Sequence, residues 1–595
     1  MDLNKDSIEN KGFLWPWLYF VTALAAAGLL GYYMIEALPR KGFDFHDAGY
    51  YLYNAWSLAA PGVHVDMLNP LTPSVINAGF MLLGVREHYT FYIIYQVSVT
   101  MALAILATGV WRVTGGLFLF PALPLLGIGG SFITILSYQN APPYVLALSG
   151  GALFLAESSP DGSWRAKAWG FVSGMALGLS AMVNMSLAPA SALLALLCYL
   201  LNKRHYSKHF LVAYCAVMAI LLVSVMVMLA GPQQATVRAH SVGVAISRLP
   251  WLIAYMAHIG VVALTARIVL VKVAGISTSS VKALFGAAFI PAVTWFCIKG
   301  SKDAGVSPLF GGYDPLYPLD IVGYCGIAWF SAALAMYSGK IRTDSMLATL
   351  GSGALIYAAT QSALTTNPIF YQWGYYSGLL LIISYAMLWP PDDIGDGTWQ
   401  KLNLLPYASR AGLVVAMGYI IWFGISSQSV TAYNHPAPYS PGTDAVLDTP
   451  KLRGIVTTRQ NKNLVEDMYR EYYAAGCQDR PLLALPRIPL VYYLFEKEAV
   501  LDISNVSMFT YDEMEGSTLS LVRGERPLCV VFNDDYMLIE TGVRHTLKVY
   551  NAWIWEDVMV EEFDIKMKRL VRELDETMPV KKRITEGRNY YIYAR

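Results

Sequence analysis

From residue 14 to residue 427 the chain is a succession of apolar runs separated by short polar breaks, and this pattern excludes most folds. About 20 helical residues cross the roughly 30 Å hydrocarbon core of a bilayer. Runs near that length occur at 14–36, 89–111, 117–135, 142–156, 169–183, 186–201, 210–230, 247–271, 283–298, 319–338, 346–363, 372–389 and 411–427. The expectation is a polytopic α-helical membrane protein of about thirteen transmembrane helices. The pair around Asn184 also reads as one broken or re-entrant hairpin. Composition agrees: charged residues are 14% and apolar residues 55%, against about 25% charged in a soluble domain. The 43 Lys+Arg balance 42 Asp+Glu, so nothing draws a nucleic acid.

The first run lacks a small-residue cleavage site and reads as a retained helix. With the N-terminus in the cytoplasm, the cytoplasmic loops of the membrane part receive roughly twice as many Lys and Arg as the outer ones, as the positive-inside rule requires. An odd number of spans then places the C-terminus outside. The outer face collects a long loop from Pro39 to His88, shorter loops at 231–246, 299–318 and 364–371, and everything beyond 427.

The chain divides into a membrane part, 1–427, and an extracytoplasmic α/β domain, 428–595. The Pro-rich stretch YNHPAPYSPG links them. In the second part NKNLVEDMYREYYAAG has apolar residues at helical spacing, Leu464, Met468 and Tyr472 among them. PLLALP, LVYYLF, LCVVFN and YYIYA read as strands, and DIKMKRLVRELDETM as a further helix. Cys198, Cys215, Cys297 and Cys325 lie in apolar runs and read as buried packing residues. Cys477 and Cys529 each come just before a strand, in the part that topology assigns to an oxidising compartment. Parallel neighbouring strands entered from the same end would let them pair, as against two separate buried thiols.

The chemistry-bearing residues cluster in the first outer loop, GFDFHDAGYYLYNAWSLAAPGVHVDMLNPLTPSVINAGFMLLG. It brings Asp44, Asp47 and Asp66 together with His46 and His64 among tyrosines. A bland reading has Asp47 capping the helix AGYYLYNAW. A functional reading has a carboxylate deprotonating a hydroxyl.

DAGYYLYNAW, the proline-containing NPLTPSVINAGFMLLG and Arg86 together resemble the first external loop of the GT-C glycosyltransferases that use polyprenyl-phosphate sugars. The likeness is to bacterial members of the protein mannosyltransferase and aminoarabinose transferase type, and it covers Arg40 to His88. The resemblance implies a GT-C-like fold and sugar transfer from a lipid-linked donor to an envelope glycan, lipid or protein acceptor, without metal or other cofactor. Asp47 falls on the family's Asp and is the expected catalytic base. Ala48 stands where many members carry Glu, which leaves Asp44 or Asp66 to supply a second carboxylate. GMALGLSAMVNMSLAPASALLALL is similar to a recurrent GT-C membrane segment, with Asn184 where a basic residue is common.

The leaving phosphate calls for fixed positive charge. Arg238, Lys302 and Arg86 are the expected donor-phosphate residues; a snorkelling interface arginine or a solvated lysine is the bland alternative. His46, Tyr50, Tyr51, Asp66, His240, Tyr313 and Gln372 are expected to line the substrate pocket, against a role as interface belt for the aromatics. A transporter or flippase for a lipid-linked precursor is the rival class. It would show repeated halves and ionisable groups deep in spans; His258 and Arg267 are the intraspan candidates. An assembly protein with a sensory outer domain is a third reading.

Overall fold

The computed structural model describes residues 14–43, 47–60, 71–114, 121–130, 135–137, 140–201, 204, 206–229, 257, 260–273, 281, 318–336, 342–364, 369–388, 405–426, 445–485, 488–501, 512–533, 568–584 and 590–595. Helix α1 (Leu14–Tyr32) continues as a π-turn, Tyr33–Ala37. Two short helices, α2 (Asp47–Ala59) and α3 (Leu71–Leu82), make the first loop. The chain re-enters the bundle through α4 (His88–Thr114) and continues with α5 (Ala141–Ser158), α6 (Trp164–Val183), α7 (Ala188–Leu201) and α8 (Tyr206–Leu229). Later come α9 (Pro318–Ala335), α10 (Arg342–Leu364), α11 (Ile369–Leu388) and α12 (Leu405–Ser426). Among the described residues, Phe20–Ala37, His88–Thr114, Trp164–Val183 and Tyr206–Val223 are long and apolar enough to cross a membrane. The expected run at 283–298 and much of 247–271 lie outside the described residues.

One expected span takes another form. Within 117–135 the described backbone is a 3-10 segment, Leu123–Gly130, and not an α-helix. Pro121 and Pro124 each lack an amide donor, and Gly127, Gly129 and Gly130 disfavour helix. The segment nevertheless lies inside the bundle. Helices α4 and α5 pack parallel, with Tyr95 against Tyr144 near one end and Gly109 against Gly151 further along. Irregular backbone at this depth is tolerated where protein covers it; Leu123, Leu125 and Leu126 are buried, and the segment packs on α4, α9, α11 and α12.

Close approach of helices rests on small residues, since lipid is as apolar as any side chain and gives no hydrophobic drive. Gly170, Gly174 and Gly178 line the face of α6 that meets α8, and a Cβ on Gly174 would stand 2.0 Å from the Phe210 carbonyl oxygen. Cys198 and Cys325 are buried as expected, but Cys215 is exposed, because it lies off the stripe of α8 that meets α6.

Beyond the bundle a four-stranded sheet has the order β3 (Leu482–Leu485), β4 (Cys529–Asn533), β6 (Tyr590–Ala594), β5 (Val580–Arg583). Strands β3 and β4 are parallel, with Leu482 opposite Cys529, and the other pairs are antiparallel. A small hairpin, β1 (Ala445–Val446) with β2 (Val456–Thr457), precedes it. Helix α13 (Arg459–Ala474) starts at a Thr458 cap, whose hydroxyl accepts from Asn461 N at 3.2 Å. It buries Leu464, Val465, Met468 and Tyr472, as the sequence spacing predicts.

LVYYLF, expected as a strand, is a short helix, α14 (Leu490–Phe495). Its apolar run is buried on every side, so periodicity could not tell strand from helix. Helix α15 (Asp512–Arg523) and a helix at 568–577 complete the unit. These two cover one face of the sheet, where Leu483, Leu485, Val530 and Phe532 meet Leu519, Val522, Leu570 and Leu574. On the other face Leu482, Ala484, Cys529 and Val531 join a core that continues through α13 and α14 into Tyr50, Tyr51, Leu52 and Tyr53 of α2. Cys477 and Cys529 form a disulfide with a Cα–Cα distance of 5.6 Å. It ties the approach to β3 to the first residue of β4.

Candidate active site

Helix α2 opens at Asp47, and nearly every residue after it is buried: Ala48, Tyr50, Tyr51, Leu52, Tyr53, Asn54 and Ala55. A loop helix with tyrosine on most sides is stable only if something covers all of them. Helix α14 supplies the cover. A Cβ on Gly49 would stand 2.5 Å from the Leu490 backbone nitrogen, so only glycine permits this seat. The Tyr53 ring packs on Tyr492 at 5.4 Å, and the Tyr53 hydroxyl accepts from Ala499 N at 3.0 Å.

The bundle holds the same loop from its other side. Tyr92 of α4 donates to the Gly42 carbonyl at 2.8 Å, and Tyr89 donates to Met34 O, within the π-turn, at 2.9 Å. In α3, Thr72 donates to Met182 O at 2.8 Å and Asn77 to Leu136 O at 3.1 Å. The segment carrying Asp47 thus lies between the bundle and α14 of the α/β unit.

Where the loop rejoins α4, the contacts become ionic. Lys451, in a left-handed turn at φ 69°, accepts from His88 N through its carbonyl at 2.7 Å. Its ammonium donates to Tyr493 O at 2.5 Å, pairs with Glu496 at 2.9 Å and lies 4.3 Å from the Tyr493 ring centroid. Burial pulls the Lys451 ammonium down to about 8, more than Glu496 can restore, and Arg86 adds to the lowering. The hydrogen bond from Lys451 in turn holds the Glu496 carboxyl below its usual value. The Tyr493 hydroxyl donates to Arg86 O at 2.6 Å.

Of the residues singled out by sequence, Asp47 is the first residue of α2, and Gln372 lies in the first turn of α11. Tyr50 and Tyr51 pack edge to face in the shared core at 5.6 Å. Arg86 is largely exposed and faces Glu496 at 4.0 Å, so its described partner is an acid of the C-terminal unit. Asp44, His46, Asp66, Arg238, His240, Lys302 and Tyr313 lie outside the described residues. Arg267, an intraspan candidate, donates to Ala335 O at 2.9 Å near the end of α9.

The sequence reading missed Tyr53, His88, Lys451, Tyr492, Tyr493 and Glu496. Only the turn composition of TPKLRG hinted at Lys451. Among the described residues, neither ring nitrogen of the buried His88 has a hydrogen-bond partner, nor does the hydroxyl of the buried Tyr33. Among the described residues no three His, Cys, Asp or Glu side chains gather as metal ligands.

Fold and site together define a polytopic helical membrane protein whose first loop is seated against an α/β unit. No protein-family model matches the sequence, and no curated protein matches it. Among solved structures the chain is similar to the crystal structure of ArnT from Cupriavidus metallidurans in the apo state. That likeness has 12% identity, covers 97% of each chain and has a TM-score of 0.45.

Proposed function

We propose that this protein is a GT-C-type glycosyltransferase that moves a sugar from a polyprenyl-phosphate carrier to an acceptor hydroxyl on the outer face of the cytoplasmic membrane. The observation that carries the reading is the seat of α2. The segment whose sequence resembles the GT-C first loop is the one clamped between bundle and α/β unit, with Asp47 as its first helical residue. In this reading the spans number about thirteen, the N-terminus is cytoplasmic, and 428–595 lies outside.

Asp47 takes the proton of the acceptor hydroxyl as its oxygen bonds to the anomeric carbon. The bond from that carbon to the phosphate oxygen breaks, its electron pair leaves with the carrier, and the phosphate gains a negative charge. Arg238 and Lys302 are assigned to that charge, with Arg86 at the loop edge. Asp44 or Asp66 supplies the second carboxylate, and no metal is assigned a part.

Asp47→Asn tests the reading: transfer should fall by about 10³-fold or more while the protein purifies and melts as the native chain does. Transfer near the native rate in that variant would refute the assignment.

A further inference from the structure

Tyr492 touches both the sheet and α2. Its ring packs on Tyr53, two turns along the helix that Asp47 opens, while its hydroxyl accepts from Ala484 N of β3 at 2.9 Å. Strand β3 is an edge of the sheet, and on its outer side Leu482 bridges Ala499 while the Ala484 amide is taken by the Tyr492 hydroxyl. The approach to β3 is fixed in turn by the Cys477–Cys529 disulfide, and Cys529 N donates to Pro481 O at 2.9 Å. A continuous set of contacts therefore runs from disulfide to β3, to Tyr492, to Tyr53 and α2. Leu490, two residues before Tyr492, stands against Gly49 in the first turn of α2.

We propose that Tyr492 is a positioning residue that fixes the first turns of α2 to the disulfide-braced sheet, so that the α/β unit is part of the active site rather than a separate module. The proposal rests on the glycosyltransferase reading only in naming what α2 carries. The mechanical coupling stands apart from it. Loosening the disulfide or the Tyr492 hydroxyl should act on α2 through the same contacts, so their effects should not add.

The test is hydrogen–deuterium exchange of the full-length protein in lipid nanodiscs, for native, Tyr492→Phe, Cys529→Ser and the double variant. Tyr492→Phe keeps the ring and removes only the hydroxyl. Each single change should raise exchange of the slowest amides in residues 48–55 by about tenfold, and the double variant should go little further. Transfer assays should show kcat lowered by about tenfold with donor KM unchanged.

Unchanged exchange in α2, additive effects, or a rise in KM alone would each overturn the proposal. Should Tyr492→Phe not fold, Tyr53→Leu removes the ring on which Tyr492 packs and must give the same pattern. Coupled exchange together with an active Asp47→Asn variant would refute the catalytic reading and leave the coupling intact.

Discussion

The bundle and the α/β unit solve one packing problem in opposite ways. In the bundle, glycines let backbones touch, and Gly174 of α6 meets the Phe210 carbonyl with no side chain between them. In the unit, large apolar side chains fill both faces of a sheet, and a covalent bond between Cys477 and Cys529 reinforces it. Water explains the difference. Outside the membrane apolar burial drives association at about 25 cal/mol per Å², whereas within lipid only contact and hydrogen bonding remain. The first loop belongs to neither regime alone, because Tyr50 to Tyr53 lie in the unit's core while Thr72 and Asn77 bond to carbonyls of the bundle. The core that α2 shares with the unit therefore crosses the expected 427/428 boundary.

The largest effect is expected from Gly174→Leu, which drives a side chain into the Phe210 backbone and should leave no monodisperse protein on size exclusion in detergent. Gly28→Leu in α1, where a Cβ meets nothing within 4 Å, is its control and should purify normally. An equal loss from both would show that apolar bulk, not close approach, was the fault.

Smaller and confined to the unit is Cys477→Ser with Cys529→Ser. The bond closes a sequence separation of 52 residues, and its loss should cost about 2–4 kcal/mol. Limited proteolysis should then cut within 445–595 while the bundle stays protected. Simultaneous loss of both regions would mean that the shared core makes them one cooperative body.

The smallest effect concerns Lys451 and is read as a pH dependence. Its folded-state value, about 8, is depressed from the ordinary 10.5. Below about 8 both folded and unfolded chains hold the proton, and the burial cost is fully present. Between the two values only the unfolded chain holds it, so stability from this group rises with pH. Lys451→Met abolishes that rise: its melting temperature relative to the native protein should be highest near pH 7 and decline by pH 9.5. A difference that does not change with pH would mean that Lys451 titrates normally.

The membrane class, α13, the two strands that follow the paired cysteines, and the loop bearing Asp47 were all legible in sequence, because each rests on a local period or a short motif. Spacing alone marks α13 through Leu464, Met468 and Tyr472, and apolar length marks α4, α6 and α8. LVYYLF was not legible, since a run buried on all sides has no period to betray its conformation. The run at 117–135 was legible as apolar, but its described part was not legible as a 3-10 segment, because the tolerance of that backbone depends on the four helices that cover it. Tertiary structure alone decided that Gly49 must be glycine, that Lys451 is buried beside Glu496, and that Tyr492 joins the sheet to α2. Each is a contact between residues some 400 positions apart or between loops, and no local pattern encodes which distant surface will cover a given face.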